Sequence, residues 1–163
     1  MTDIAPITDP ATPPPVPPPA MPAASAALAQ QFLMQGDHGN LWFEGQNGSD
    51  VLIVSFDNLA TIDEGWPRMP WAWRRLQPMG HAVLGVQSHA KDWFRQPTTP
   101  AQLTALRDTG FFARFGKIVL TGASMGGFAA LNFAPLIPGA RVLAFSPQST
   151  MNKAITPFEQ RFP

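Results

Sequence analysis

Five short apolar runs recur along the chain, separated by polar segments rich in glycine and proline. They are Leu41-Trp42-Phe43-Glu44, Val51-Leu52-Ile53-Val54-Ser55-Phe56, His81-Ala82-Val83-Leu84-Gly85-Val86, Ile118-Val119-Leu120 within residues 117–121, and Arg141-Val142-Leu143-Ala144-Phe145. Runs of this length predict strands, and 51–56, apolar on both faces, and 81–86 read as buried ones. The first two flank Gln46-Asn47-Gly48-Ser49, and Asn-Gly between apolar runs predicts a hairpin. Helical signals fall between the later runs. Thr99-Pro100-Ala101-Gln102 predicts a helix start with Thr99 as N-cap, Pro100 at the first helical position and Gln102 completing a capping box. Leu103 and Leu106 then share a face, and Gly110 is a natural stop. A second helix is predicted from about 125 to 134, ending before Pro135, and Pro67, Pro70 and Pro78 leave room for only a short helix over 71–77. Strands alternating with helices predict an α/β fold: a mostly parallel, doubly wound sheet of about five strands with flanking helices.

Two segments precede this pattern. Residues 1–22 hold nine of the nineteen prolines and predict a disordered, extended tail. Such tails most often act as spacers, with a ligand for an SH3-like or WW-like groove as the alternative. Residues 23–36 are rich in helix formers, with Leu28 and Phe32 four apart and Gly36 at the end, which predicts a short helix. Residues 37–163 form the α/β domain.

Composition narrows the function classes. The 163 residues are 45% hydrophobic, enough for one core, and only 13% charged, with 11 basic and 11 acidic residues. Neither a net positive charge nor a Lys/Arg run is present, so no nucleic-acid partner is expected. With no cysteine there is no disulfide and no thiolate chemistry, and His38, His81 and His89 lack metal-ligand spacing, so neither metal nor cofactor is implied. No apolar run reaches the ~18 residues of a membrane span, and the N-terminus does not read as a secretory signal, which leaves the cytoplasm as the default compartment. The Trp66, Trp71 and Trp73 cluster and the Asp92-Trp93-Phe94-Arg95 segment read more readily as packing than as ligand contacts.

One stretch implies a reaction. In Gly122-Ala123-Ser124-Met125-Gly126 a strand runs through a tight turn into a helix, the G-x-S-x-G arrangement of a nucleophile elbow. The turn strains the serine backbone, and Gly122 and Gly126 remove side chains where strand and helix pass closest. Ser124 Oγ then stands above the sheet, near the Met125 amide and the positive end of the helix dipole.

With this motif in its strand–helix setting, residues 41–147 resemble the α/β-hydrolase superfamily, serine esterases and acyltransferases among them. Gly127, a second glycine after the serine, fits that pattern, and Phe145-Ser146-Pro147-Gln148 is similar to a strand end in bacterial hydrolase-like proteins. The resemblance implies Ser124 as nucleophile, a small-molecule acyl substrate bound as an ester or thioester, and an oxyanion hole built from the Met125 amide and that of Asp57 or Asn58.

The resemblance also implies an acid and a histidine beyond the elbow, yet no histidine follows Ser124 and Glu159 is the only acidic residue that does. Three readings follow. The sequence lacks the last strands of a longer hydrolase; or His89, at the end of run 81–86, serves as base with Asp57 orienting it; or the fold is a noncatalytic fragment or binding module. In the expected strand order His89 lies two strand spacings from the elbow strand, about 9–10 Å. Run 141–145 would form an open apolar edge, suited to pairing with a second copy in a homodimer.

Overall fold

The structure, a computed structural model, describes residues 16–160 apart from Ala27 and Asn47. The apolar runs become strands of one six-stranded sheet in the order β1-β2-β4-β3-β5-β6, with β2, β3 and β4 buried on both faces and the edge strand β6 largely not. These are β1 (Gln31–Met34), β2 (Gly39–Glu44), β3 (Val51–Phe56), β4 (Ala82–Ser88), β5 (Lys117–Ala123) and β6 (Arg141–Phe145). The half containing β4, β3, β5 and β6 is parallel, whereas β1 and β2 add antiparallel pairs, so the sheet is mixed. The helices are α1 (Ala23–Ala26), α2 (Leu59–Asp63), α3 (Trp73–Leu76), α4 (Thr98–Asp108) and α5 (Met125–Phe133).

The first face of the sheet carries the core. Leu52, Val54 and Phe56 of β3, Leu84 and Val86 of β4, and Leu120 of β5 pack with Leu103 and Leu106 of α4 and with Met125, Ala129 and Ala130 of α5. The second face is only partly covered. The segment between α2 and β4 straps across it: Pro70 lies over Gly85, where a Cβ would collide with its ring, and Trp71 O accepts Ser55 Oγ–H at 2.5 Å. Beyond the strap an apolar groove of ≈ 620 Å³ remains, lined by Val51, Ile53, Trp71, Val119, Leu143 and Phe145. Leu143 and Phe145, on the edge strand β6, are 53% and 49% exposed.

Three sequence expectations are corrected. The helix over 23–36 forms only at Ala23–Ala26; Leu28 is exposed, and Gln31–Met34 is instead strand β1, with Phe32 opposite Phe43 of β2. Sheet pairing that buries Phe32 outweighs the local helix preference of its neighbours. The 41–44/51–56 hairpin does not form: β4 lies between β2 and β3, with Gly39 paired to Ser88 and Glu44 to Val83. Asn47 of the expected turn lies outside the described residues. The capping box at Thr99 is also absent, since α4 begins at Thr98 and Gln102 Nε2 donates to Met34 O at 3.1 Å and Gly39 O at 3.4 Å.

The proline-rich tail divides. Residues 1–15 lie outside the described residues, while Pro19 O accepts the Leu33 amide at 2.8 Å and the Met21 amide donates to Leu33 O at 2.9 Å, which lays this end of the tail along β1.

Candidate active site

The turn from β5 into α5 places Ser124 at φ 52° and ψ −118°, a region that L-residues other than glycine seldom occupy. Close packing around it accounts for the flanking residues. A Cβ on Gly122 would collide with the Gly126 backbone, and a Cβ on Gly126 would lie 2.5 Å from Phe56 O and 2.7 Å from Asp57 O. Backbone bonds fix the turn on both sides: Ser124 N–H donates to Phe145 O at 2.9 Å, and Phe128 N–H donates to Ser124 O at 2.9 Å. The first amide of α5, that of Met125, has no acceptor among the described residues. It therefore leaves an unsatisfied donor at the positive end of the helix, beside a half-buried hydroxyl.

The chain beyond β6 returns to this hydroxyl. Ser146 turns at φ 44°, and Gln148 Nε2 reaches Ser124 Oγ at 3.1 Å. The other end of the same carboxamide, Gln148 Oε1, accepts the indole N–H of buried Trp93 at 3.3 Å.

Asp57 and Asn58 follow β3, next to the elbow. Asp57 N–H belongs to the sheet ladder, donating to Val86 O at 3.1 Å, and Asn58 N–H donates to Thr61 Oγ1 at 3.0 Å. Asn58 Oδ1 in turn accepts the Thr61 amide at 3.0 Å, so the two residues form a capping box at the start of α2. Both amides expected to assist Met125 thus already have acceptors.

The Asp57 carboxylate is fully buried and bound to Arg68 Nη2 at 2.6 Å, with the Ser88 amide also donating to it at 3.2 Å. Arg68 Nη2 donates further to Ser88 O at 2.7 Å, and its backbone carbonyl accepts Gln87 Nε2 at 2.9 Å. Burial pushes the Asp57 carboxyl up to about 6, against the downward pull of the Arg68 charge and its hydrogen bond.

His89 follows β4 on the surface and leans toward β2. Its amide donates to His38 O at 3.0 Å, and its Nδ1 lies 3.2 Å from Asp37 O. Among the described residues, no hydrogen bond joins His89 to Asp57 or to Ser124. The structure brings Ser124, Gly122, Gly126 and the Met125 amide together, adds Gln148 and Trp93, and gives Asp57 and His89 separate partners. Sequence reasoning missed Gln148 and Arg68 as neighbours of the site, and weighed the segment holding Trp93 as ligand contacts but preferred packing. Gln148 had a faint signal in its place just past the last apolar run; Arg68 had none.

No family model and no curated protein sequence matches this chain. Solved structures do resemble it. One is the capsule O-acetyltransferase of Neisseria meningitidis serogroup A, solved in complex with caged gadolinium, at TM-score 0.54 and 11% identity over 78% of this chain and 56% of that one. Another is an esterase of Pyrococcus furiosus, at TM-score 0.44 and 20% identity over 81% of this chain and 57% of that one. The chain thus spans a little over half the length of each.

Proposed function

We propose that this chain is a serine hydrolase or acyltransferase-like protein of the α/β-hydrolase kind, acting on an ester or thioester through Ser124. The observation that carries the reading is the backbone of Ser124, held at φ 52° between two glycines whose side-chain space is filled by other backbone. Strain of this kind costs about 1–3 kcal/mol, and folds retain it where a side chain has to be presented in one direction. The acetyltransferase likeness supports the fold, and O-acetyl transfer enters as one form of the reaction.

In this reading Ser124 Oγ attacks the acyl carbon, and the carbonyl electron pair moves onto oxygen beside the free Met125 amide. Asn58 N–H can join only by leaving Thr61 Oγ1. The leaving group departs with a proton, and water or an acceptor hydroxyl then releases the acyl group from Ser124. The Ser124 proton requires a base, either His89 after a movement away from Asp37 O or a group outside the described residues. The test is reaction of the purified protein with a fluorophosphonate, read by intact mass. Stoichiometric labelling that Ser124→Ala abolishes is expected; an unlabelled, folded protein would overturn the reading.

A second reading, a noncatalytic hydrolase-like module, is favoured by one observation. Among the described residues, the only side chain hydrogen-bonded to Ser124 Oγ is that of Gln148, which cannot take a proton at neutral pH.

A further inference from the structure

We propose that Gln148 is a positioning residue that fixes the direction of the Ser124 hydroxyl and stabilises its oxygen as negative charge develops there. The inference rests on Ser124 being the nucleophile and adds a residue to that site. It follows first from donor and acceptor inventory. An indole N–H only donates, so the Gln148 atom facing Trp93 at 3.3 Å has to be the carboxamide oxygen. The amino group therefore faces Ser124 Oγ at 3.1 Å, and Oγ accepts. Turning the carboxamide over would set its NH₂ against the indole N–H. Trp93 is buried, so it cannot swing aside to permit that. The Ser124 proton is consequently directed away from Gln148, toward whatever group removes it.

The backbone delivers Gln148 to this point. Ser124 N–H on Phe145 O ties the elbow to the end of β6, and the positive φ of Ser146 reverses the chain. Pro147 packs against the start of α5, 3.2 Å from where a Cβ on Gly127 would lie. The return segment is thus fastened at the elbow, on Gly127 and on Trp93.

The polarity of the bond gives it a role in reaction. A hydrogen bond to an oxygen strengthens as that oxygen gains charge, so the Gln148 N–H favours the alkoxide over the hydroxyl. In reaction with a fluorophosphonate, Oγ forms the P–O bond, the P–F bond breaks, fluoride leaves, and the hydroxyl proton passes to the base that Ser124 requires in this reading. Gln148 remains bound to Oγ while the charge is present and exchanges no proton.

The experiment is the fluorophosphonate labelling rate against pH for wild type, Gln148→Leu and Gln148→Glu, each checked for folding by circular dichroism. Gln148→Leu should label about 10- to 100-fold more slowly. Gln148→Glu should be equally slow while its carboxylate is ionised, then gain on wild type as the pH falls, because a protonated carboxyl donates again. A merely structural role gives a ratio to wild type that does not change with pH. That result, or an undiminished rate in Gln148→Leu, overturns the inference while leaving Ser124 as nucleophile. Wild type that takes no label overturns both.

Discussion

Arg68 Nη2 lies 2.6 Å from Asp57 Oδ2 in the interior, with side-chain exposures of 5% and 0%. The two halves of this pair are not equivalent. A carboxyl left alone can take up a proton, whereas a guanidinium cannot lose one. Asp57→Asn strands a buried cation, while Arg68→Met leaves a carboxyl that neutralises, so Asp57→Asn should be the more destabilising of the two at about pH 4, where Asp57 still contributes in full. Urea unfolding of the two variants checks the order.

The same carboxyl sets a pH dependence. Its folded value of about 6 exceeds its ordinary 3.8, so the folded state binds the proton more tightly than the unfolded state. The contribution of Asp57 to stability is therefore complete below its unfolded value and is lost as pH rises through its folded value. The stability of wild type minus that of Asp57→Asn should fall by up to about 3 kcal/mol between pH 4 and pH 7 and then level off. Urea titrations at stepped pH measure it; a flat difference would show that Asp57 titrates alike in both states.

Gly126→Ala sets a methyl group against two carbonyl oxygens of the β3 end, at 2.5 and 2.7 Å. Backbone on both sides cannot yield as a flexible side chain would. A loss of about 2–3 kcal/mol or more is expected, with labelling of Ser124 lost in parallel. Gly48→Ala, at a position with open space but positive φ, should cost about 1 kcal/mol and spare the labelling.

Ser124→Gly and Ser124→Ala both remove the hydroxyl, but only glycine relieves a φ of 52°. The glycine variant should be more stable than the alanine variant by about 1 kcal/mol, despite its greater entropy when unfolded. Equal melting points would mean that the turn stores no backbone strain.

The elbow was legible in the sequence because its constraint is local: a strand, a serine between glycines, and a helix within one short stretch. β4, β3 and β5 were legible as strands too, since buried parallel strands read as continuous apolar runs, and their order followed from the resemblance to α/β-hydrolases. The rest depended on distant partners. Gln31–Met34 carries helix formers and becomes a strand only because β2 lies beside it. Asn58 looked like a free donor until Thr61 closed the cap. The direction of His89 is set by Asp37 and His38, far from it in sequence.

The insertion of β4 between β2 and β3 also has a kinetic consequence. β2 and β3 are successive in the chain, and the Asn-Gly connection between them favours a fast local hairpin, whereas β4, the native neighbour of β2 on the side away from β1, comes from far along the sequence. A β2–β3 hairpin that forms first has to open before β4 can enter. Undoing that early pairing should then limit refolding, and Gly48→Ala, which weakens the Asn-Gly signal, should speed the appearance of native sheet in stopped-flow refolding; an unchanged rate would show that no such hairpin forms first.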